Sequence, residues 1–175
     1  MTRFGFVMVT YAAVLGIGAS IVPSPVPRLL WNATASTPIG LYALRPTDRL
    51  HVGDLVAMTP PDRVARFLAE SGRLPLGVPL LKHVRALTSQ TVCRDGADLT
   101  VDGVSVGAAR SQDDRGHNLP IWSGCRTLAE GEIFLMNAEV ADSLDGRYFG
   151  PTSTSMILGR ADPLWIVEHG DGCDR

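Results

Sequence analysis

From Phe4 to Val22, "FGFVMVTYAAVLGIGASIV", nineteen consecutive residues carry no charge. At about 1.5 Å per helical residue, such a run reaches across a hydrocarbon core of about 30 Å. Pro23, Pro25 and Pro27 come directly after it, and proline ends a helix because it lacks the N–H and clashes with the preceding turn. The run predicts an N-terminal transmembrane helix. Arg3 flanks it on the short side, which places that end in the cytoplasm and the remaining chain outside. A cleavable signal peptide is the alternative, because Gly18, Ala19 and Ser20 are small enough for a cleavage site. Both readings export the rest of the chain. The expected organisation is a membrane anchor or signal peptide over 1–22 and one exported domain over 23–175.

That domain has length enough to bury a core without metals or many disulfides. The net charge of −2 and the lack of a basic run argue against a nucleic-acid partner. With 18 glycines, 12 prolines and few aromatics, the composition favours a β-rich, loop-rich domain. "LHVGDLVAM" (50–58) reads as two short strands around a Gly-Asp turn. "DRVARFLAES" (62–71) predicts a short helix capped by Asp62, with Val64, Phe67 and Leu68 on one face. "PLLKHVRALTSQTVC" (79–93) is the longest strand-like run, and 99–106 alternates between Asp-Gly pairs as a hairpin does. Residues 110–124 form a polar loop carrying His117, "EGEIFLMN" (130–137) reads as a strand, and "SMILGRADPLWIVEHG" begins at 155. The exported part is expected to be mostly antiparallel β.

Export bears on the cysteines. In an oxidising compartment Cys93 and Cys125 can pair, leaving Cys173 odd. Three free buried thiols are the alternative.

Familiar catalytic patterns are missing: there is no Gly-x-Ser-x-Gly, no His-Glu-x-x-His, no phosphate-cradling glycine loop and no Cys-x-x-Cys. His51, His83, His117 and His169 lie far apart. Neither a cofactor nor a metal is expected. What remains is a lysine. Lys82 is the only one in the chain, against fifteen arginines. A lysine near its ordinary pKa of about 10.4 is protonated and useless as a base at neutral pH, but burial lowers that value by several units. Arginine cannot take this role, because its guanidinium does not deprotonate in proteins. Lys82 has apolar neighbours in Pro79, Leu80, Leu81, Val84 and Leu87. The alternative is a snorkelling strand residue with its head in water. A partner hydroxyl could come from "NATASTPIGLY" (32–42), which crowds Thr34, Ser36 and Thr37 against Pro38. Taken alone, that stretch also reads as a plain turn.

"NATASTPIGLY", "LLKHV" and "DSLDGRYFGPT", in this order behind an apolar N-terminal segment, resemble the motifs of type I signal peptidases. More closely they resemble the TraF-type signal peptidases encoded with conjugative-transfer systems, over nearly the whole chain. The resemblance implies antiparallel β-sheets of the signal-peptidase type with a short helical insertion. It implies Ser36 as nucleophile and Lys82 as general base, with the Ser36 N–H and the Thr34 hydroxyl forming the oxyanion hole. It implies Ser143 as the serine that orients the lysine, with Asp145 and Arg147 as an ion pair supporting the site. Thr37 stays structural. General signal peptidases carry a Gly-Asp-Asn-Arg-Asp run before the third box; here "NAEVAD" (137–142) stands in its place, which suits the conjugation-type branch. The implied protein is a serine endopeptidase, single-pass in the bacterial inner membrane with a periplasmic catalytic domain. Its partner would be the extended peptide of an exported precursor such as a pilin, cleaved and in some relatives closed into a ring. The alternatives are a general signal peptidase removing leader peptides, and a non-catalytic anchored β-domain that binds secretion components.

Overall fold

The computed structural model describes residues 3–20, 28–47 and 49–167. Cys173 and His169 lie outside these residues. Helix α1 spans Arg3–Ser20, and side chains such as Phe4, Phe6, Val9, Tyr11 and Leu15 stand exposed on it. The expected transmembrane helix is met in part: a helix forms over most of the uncharged run. Among the described residues, however, no helix is long and apolar enough to cross a membrane. Ile21 and Val22, which complete the run, lie outside them.

Beyond α1, the described residues form two antiparallel sheets that share an apolar cluster. Seven strands form the first: β1 (Leu29–Asn32), β2 (Gly40–Arg45), β3 (Leu55–Met58), β4 (Leu80–Ala86), β9 (Glu132–Leu135), β10 (Thr152–Ser153) and β11 (Ile157–Ile166). Their order is β1-β2-β11-β3-β4-β9-β10. The second sheet comprises β5 (Thr91–Asp95), β6 (Asp98–Val101), β7 (Val104–Ala108) and β8 (Gly124–Thr127), in the order β7-β6-β5-β8. The run 79–93, expected as one strand, is two strands in different sheets. The chain turns at Leu87–Gln90: Gln90 N donates to Leu87 O, Leu87 N to Gln90 Oε1, and Ser89 takes a φ of 74°. No glycine or proline announces this turn, so periodicity alone runs through it.

Two smaller expectations also change. Only the second half of 50–58 is a strand; His51 to Asp54 form a turn in which His51 N donates to the Asp54 carboxylate and Asp54 N to His51 O. Helix α2 (Asp62–Glu70) does not use Asp62 as its cap. Pro61 holds the cap position and no side chain caps it, so Asp62 acts in the first turn, where a carboxylate favours the helix dipole. Val64 and Leu68 are buried and Phe67 packs beside them, as expected. The hairpin of β6 and β7 also forms, turning at Asp102-Gly103.

Alternation along the strands divides the core. Val56, Met58, Val84, Ile133 and Leu135 pack on one side; Tyr42, Leu44, Ala57, Leu81 and Ala161 pack on the other. A third cluster joins the sheets, with Val92, Leu99 and Val101 meeting Phe134, Met136, Leu144 and Tyr148 under α2. Gly40 is required where β2 meets β11, because a side chain there would run into the Trp165 carbonyl. The pairing of Cys93 with Cys125 is borne out: they face each other across β5 and β8 and form a disulfide. On the opposite face, Arg94 is buried and donates to Arg147 O at 2.6 Å. The bridge thus fastens a sheet whose inner side touches the third sequence box. Closing a loop with a sequence separation of 32 stabilises by about 4 kcal/mol in the chain-entropy treatment. Replacing both cysteines by serine should therefore lower Tm by roughly 10 °C, measured by calorimetry. A shift below about 2 °C would mean that the bridge does not constrain the unfolded chain.

Candidate active site

Three segments from separate parts of the fold meet at one end of the first sheet. The turn between β1 and β2 carries Thr34, Ser36 and Thr37. Its organiser is Asn32, which ends β1 and is buried. Asn32 Nδ2 donates to Thr34 O, Thr37 O and Pro38 O at 2.9–3.0 Å. Its Oδ1 accepts from Thr34 N at 3.1 Å and from the Thr34 hydroxyl at 2.8 Å. The asparagine therefore replaces the ladder that the turn lacks. Thr37 is buried and its hydroxyl donates to Leu81 O at 3.4 Å, in keeping with a structural role.

Strand β4 supplies Lys82, which is only 2% exposed. Its Nζ lies 2.7 Å from Ser143 Oγ and 3.5 Å from Ser36 Oγ. The snorkelling alternative fails on this burial. Loss of hydration pulls the ammonium down to about 8; Asp145 pushes it up, Arg147 pulls it down, and Asp142 pushes it up.

The third segment runs from Asn137 to Phe149. Asp145 and Arg147 form a fully buried pair, with Arg147 Nη2 2.9 Å from Asp145 Oδ2. Arg147 also donates to the carbonyls of Asn137, Val140 and Ser143, at 3.2, 2.6 and 3.2 Å. Asp145 caps the short helix α3 (Gly146–Phe149) by accepting from Arg147 N, and it accepts from Asn137 N as well. One ion pair with this many hydrogen bonds closes the loop 137–147 around a guanidinium and presents Ser143 to Lys82. A pair so deep is held together by those extra bonds, since bare Coulomb attraction does not offset its desolvation.

Thr34, Ser36, Lys82, Ser143, Asp145 and Arg147 are all brought together here. Thr34 Oγ1 lies 3.5 Å from Ser36 Oγ, although its hydrogen goes to Asn32. The disulfide lies elsewhere, on the second sheet. Asn32 and Asn137 are the residues that sequence reasoning missed. Each is a polar residue at the end of an apolar strand run, which was the available signal. A cleft of about 680 Å³ opens beside Ser36, lined by Pro38, Ile39, His83, Val140, Ile166 and Val167 among others. Another apolar cavity, of about 410 Å³, lies between α2 and residues 118–122, and Ser36 does not line it. Among the described residues no group of three or more His, Cys, Asp or Glu side chains could hold a metal ion.

A family profile described as signal peptidase, peptidase S26, matches residues 1–166. The chain belongs to this family. That makes it a member of the serine peptidases that act on precursor peptides. It is 34% identical to the probable conjugal transfer protein TraF of Sinorhizobium fredii (strain NBRC 101917 / NGR234), over 76% of this chain and 74% of that protein. It is 34% identical to the conjugal transfer protein TraF of Agrobacterium fabrum (strain C58 / ATCC 33970), over 78% and 82%. Among solved structures it is similar to a signal peptidase I from Enterococcus faecalis V583, with 20% identity, 65% of this chain and 97% of that chain covered, and a TM-score of 0.40. This S26 chain thus joins its family's sequence pattern to a buried lysine between two serines.

The burial of Lys82 has a measurable consequence for stability. An unfolded lysine titrates near its ordinary value of 10.5, and the folded one near 8. Between those values the unfolded chain binds more protons, so this group makes the folded state gain stability as pH rises. Lys82→Met has no such dependence. In urea titrations the wild type should gain roughly 2–3 kcal/mol on Lys82→Met between pH 7 and pH 10. A difference that stays constant across that range would show that the ammonium is not desolvated.

Proposed function

We propose that this protein is a Ser/Lys serine endopeptidase that processes an exported precursor, a conjugative pilin, within a DNA-transfer machinery. The observation that carries the reading is Lys82: a lysine 2% exposed, 3.5 Å from the Ser36 hydroxyl, with burial bringing its pKa to about 8. A neutral amine at that place can take the Ser36 proton as the hydroxyl attacks a scissile carbonyl. The 3.5 Å separation belongs to the site without substrate, where catalytic hydrogen bonds are commonly long. Ser143, at 2.7 Å, holds the amine so that its lone pair can face Ser36. The negative oxygen of the tetrahedral intermediate would meet the Ser36 N–H and the Thr34 hydroxyl. The latter must turn from Asn32 Oδ1 to do so.

The substrate would lie extended beside Ser36, its small side chains in the cleft lined by Ile39, Val140 and Ile166. The resulting acyl-enzyme is released by water, or by the substrate's own amino terminus to give a closed ring. The conjugation-type assignment is supported by the TraF relatives, whose names place them in conjugal and plasmid transfer. Helix α1, which carries no charge after Arg3 and exposes apolar side chains, supports a single-pass anchor in the bacterial inner membrane. The disulfide supports a periplasmic domain.

Ser36→Ala and Lys82→Arg should each abolish cleavage of a conjugative prepilin while the circular dichroism spectrum stays that of the wild type. Lys82→Arg is the sharper change, since it keeps the charge and removes the base. More than a few per cent of residual rate in that variant would sink the dyad. The wild-type rate should rise with pH as Lys82 loses its proton and level off above about 8. Thr34→Ser should remain active, whereas Thr34→Val should lose about 100-fold or more; equal rates in the two would remove Thr34 from the oxyanion hole.

A further inference from the structure

Five polar contacts converge on the side chain of Asn137, a residue to which the Ser/Lys dyad gives no part. It lies two residues past the end of β9, opens the stretch "NAEVAD" and is 3% exposed. Its Nδ2 lies 2.7 Å from Ser36 O, 3.1 Å from Leu81 O and 3.3 Å from Thr37 Oγ1. Its Oδ1 lies 3.1 Å from both His83 N and His83 Nδ1. A backbone carbonyl only accepts and a backbone N–H only donates. Ser36 O, Leu81 O and His83 N therefore fix which end of the amide is which. The partners are the residue of the hydroxyl itself and the two residues on either side of Lys82.

The main chain of Asn137 is held from behind. Its N–H donates to Asp145 Oδ2 at 3.0 Å, and its carbonyl accepts from Arg147 at 3.2 Å. One buried amide thus joins all three segments of the site. The other link from the Ser36 turn to the backbone of β4, Thr37 Oγ1 to Leu81 O, is longer at 3.4 Å. Within the sheet, the turn and β4 are two strands apart, with β11 and β3 between β2 and β4. Strand pairing therefore leaves the separation of Ser36 from Lys82 loosely set, and proton transfer is steep in that separation.

Resting on the proposed Ser/Lys dyad, we infer that Asn137 is a positioning residue. Its amide clamps the Ser36 carbonyl to the strand that carries Lys82, and so sets the distance over which the proton moves. The departure of "NAEVAD" from the general signal-peptidase run then has a use at its first residue.

The test labels Ser36 of the full-length protein with a penem-type acylating probe. It separates the maximal acylation rate from the probe concentration that gives half of it. Asn137→Asp keeps the size and the acceptor for His83 N but cannot donate to Ser36 O or Leu81 O. Asn137→Ala removes both ends. Each should lower the maximal rate tenfold or more while moving the half-saturating concentration less than threefold. Each should also lose the plateau above pH 8, the rate climbing on with hydroxide. A smaller fall, or a fall with the plateau intact, overturns the inference. So does loss of the folded near-ultraviolet dichroism in both variants, which makes Asn137 a residue of the fold; if one variant folds, that one decides. Two controls isolate the dyad. If Ser36→Ala is still labelled, or Lys82→Met is labelled at the wild-type rate, the dyad reading itself has failed. If both controls lose labelling and the Asn137 variants keep it, only this inference has failed.

Discussion

A guanidinium sealed inside a loop holds this site in place. Arg147 is 2% exposed and Asp145 is fully buried, so the ion pair they make has no water to share its charge. Such a pair tolerates burial only when its remaining hydrogen-bonding capacity is met. Here the surrounding carbonyls of Asn137, Val140 and Ser143 meet it. The loop has no regular secondary structure until α3, and the arginine at its centre takes the place of a strand ladder. Ser143 and Asn137 are where they are because their carbonyls are bound to it. Through them the ion pair reaches Lys82 and Ser36 without touching either.

Lys82 shows the opposite treatment of a charge. The fold takes its ammonium out of water and gives it hydroxyls instead of a carboxylate at contact distance. Asp145 raises its pKa and Arg147 lowers it, so the buried pair partly cancels itself at the lysine and desolvation decides the direction. Without Arg147, Asp145 would offset more of that lowering. The ion pair therefore shapes the loop while leaving the lysine free to lose its proton.

Much of this could be read from the residues, and what could not has physical causes. The alternation around Asp102-Gly103, the apolar face of α2 and the pairing of the two inner cysteines were legible because each depends on local pattern or compartment. The single lysine among arginines pointed to Lys82, and the three boxes to Ser36, Ser143, Asp145 and Arg147. The break at Ser89 was hidden because its turn is made by Gln90 and by a serine in a left-handed conformation, without glycine or proline. Asn32 and Asn137 were hidden for a related reason. The Asn137 amide acts on backbone groups distant in sequence, Ser36 and Leu81, while that of Asn32 closes a turn within six residues of itself, and composition shows neither set of partners. The first half of 50–58 failed as a strand because the Asp54 carboxylate takes the His51 N–H and closes a turn there.

The place of β11 has a bearing on how such a chain comes into being. The last described strand, β11, lies between β2 and β3, so neither of those early strands has its inner neighbour until β11 arrives. Synthesis proceeds from the amino terminus. The turn with Ser36 and the strand with Lys82 are therefore both delivered long before the piece that joins them. Until then they belong to separate halves of an open sheet, with two unsatisfied edges facing each other. A nascent or prematurely ended chain would hold every residue of the three boxes and still lack their common frame. In such a topology the two halves of the site share one continuous sheet only once β11 stands between β2 and β3.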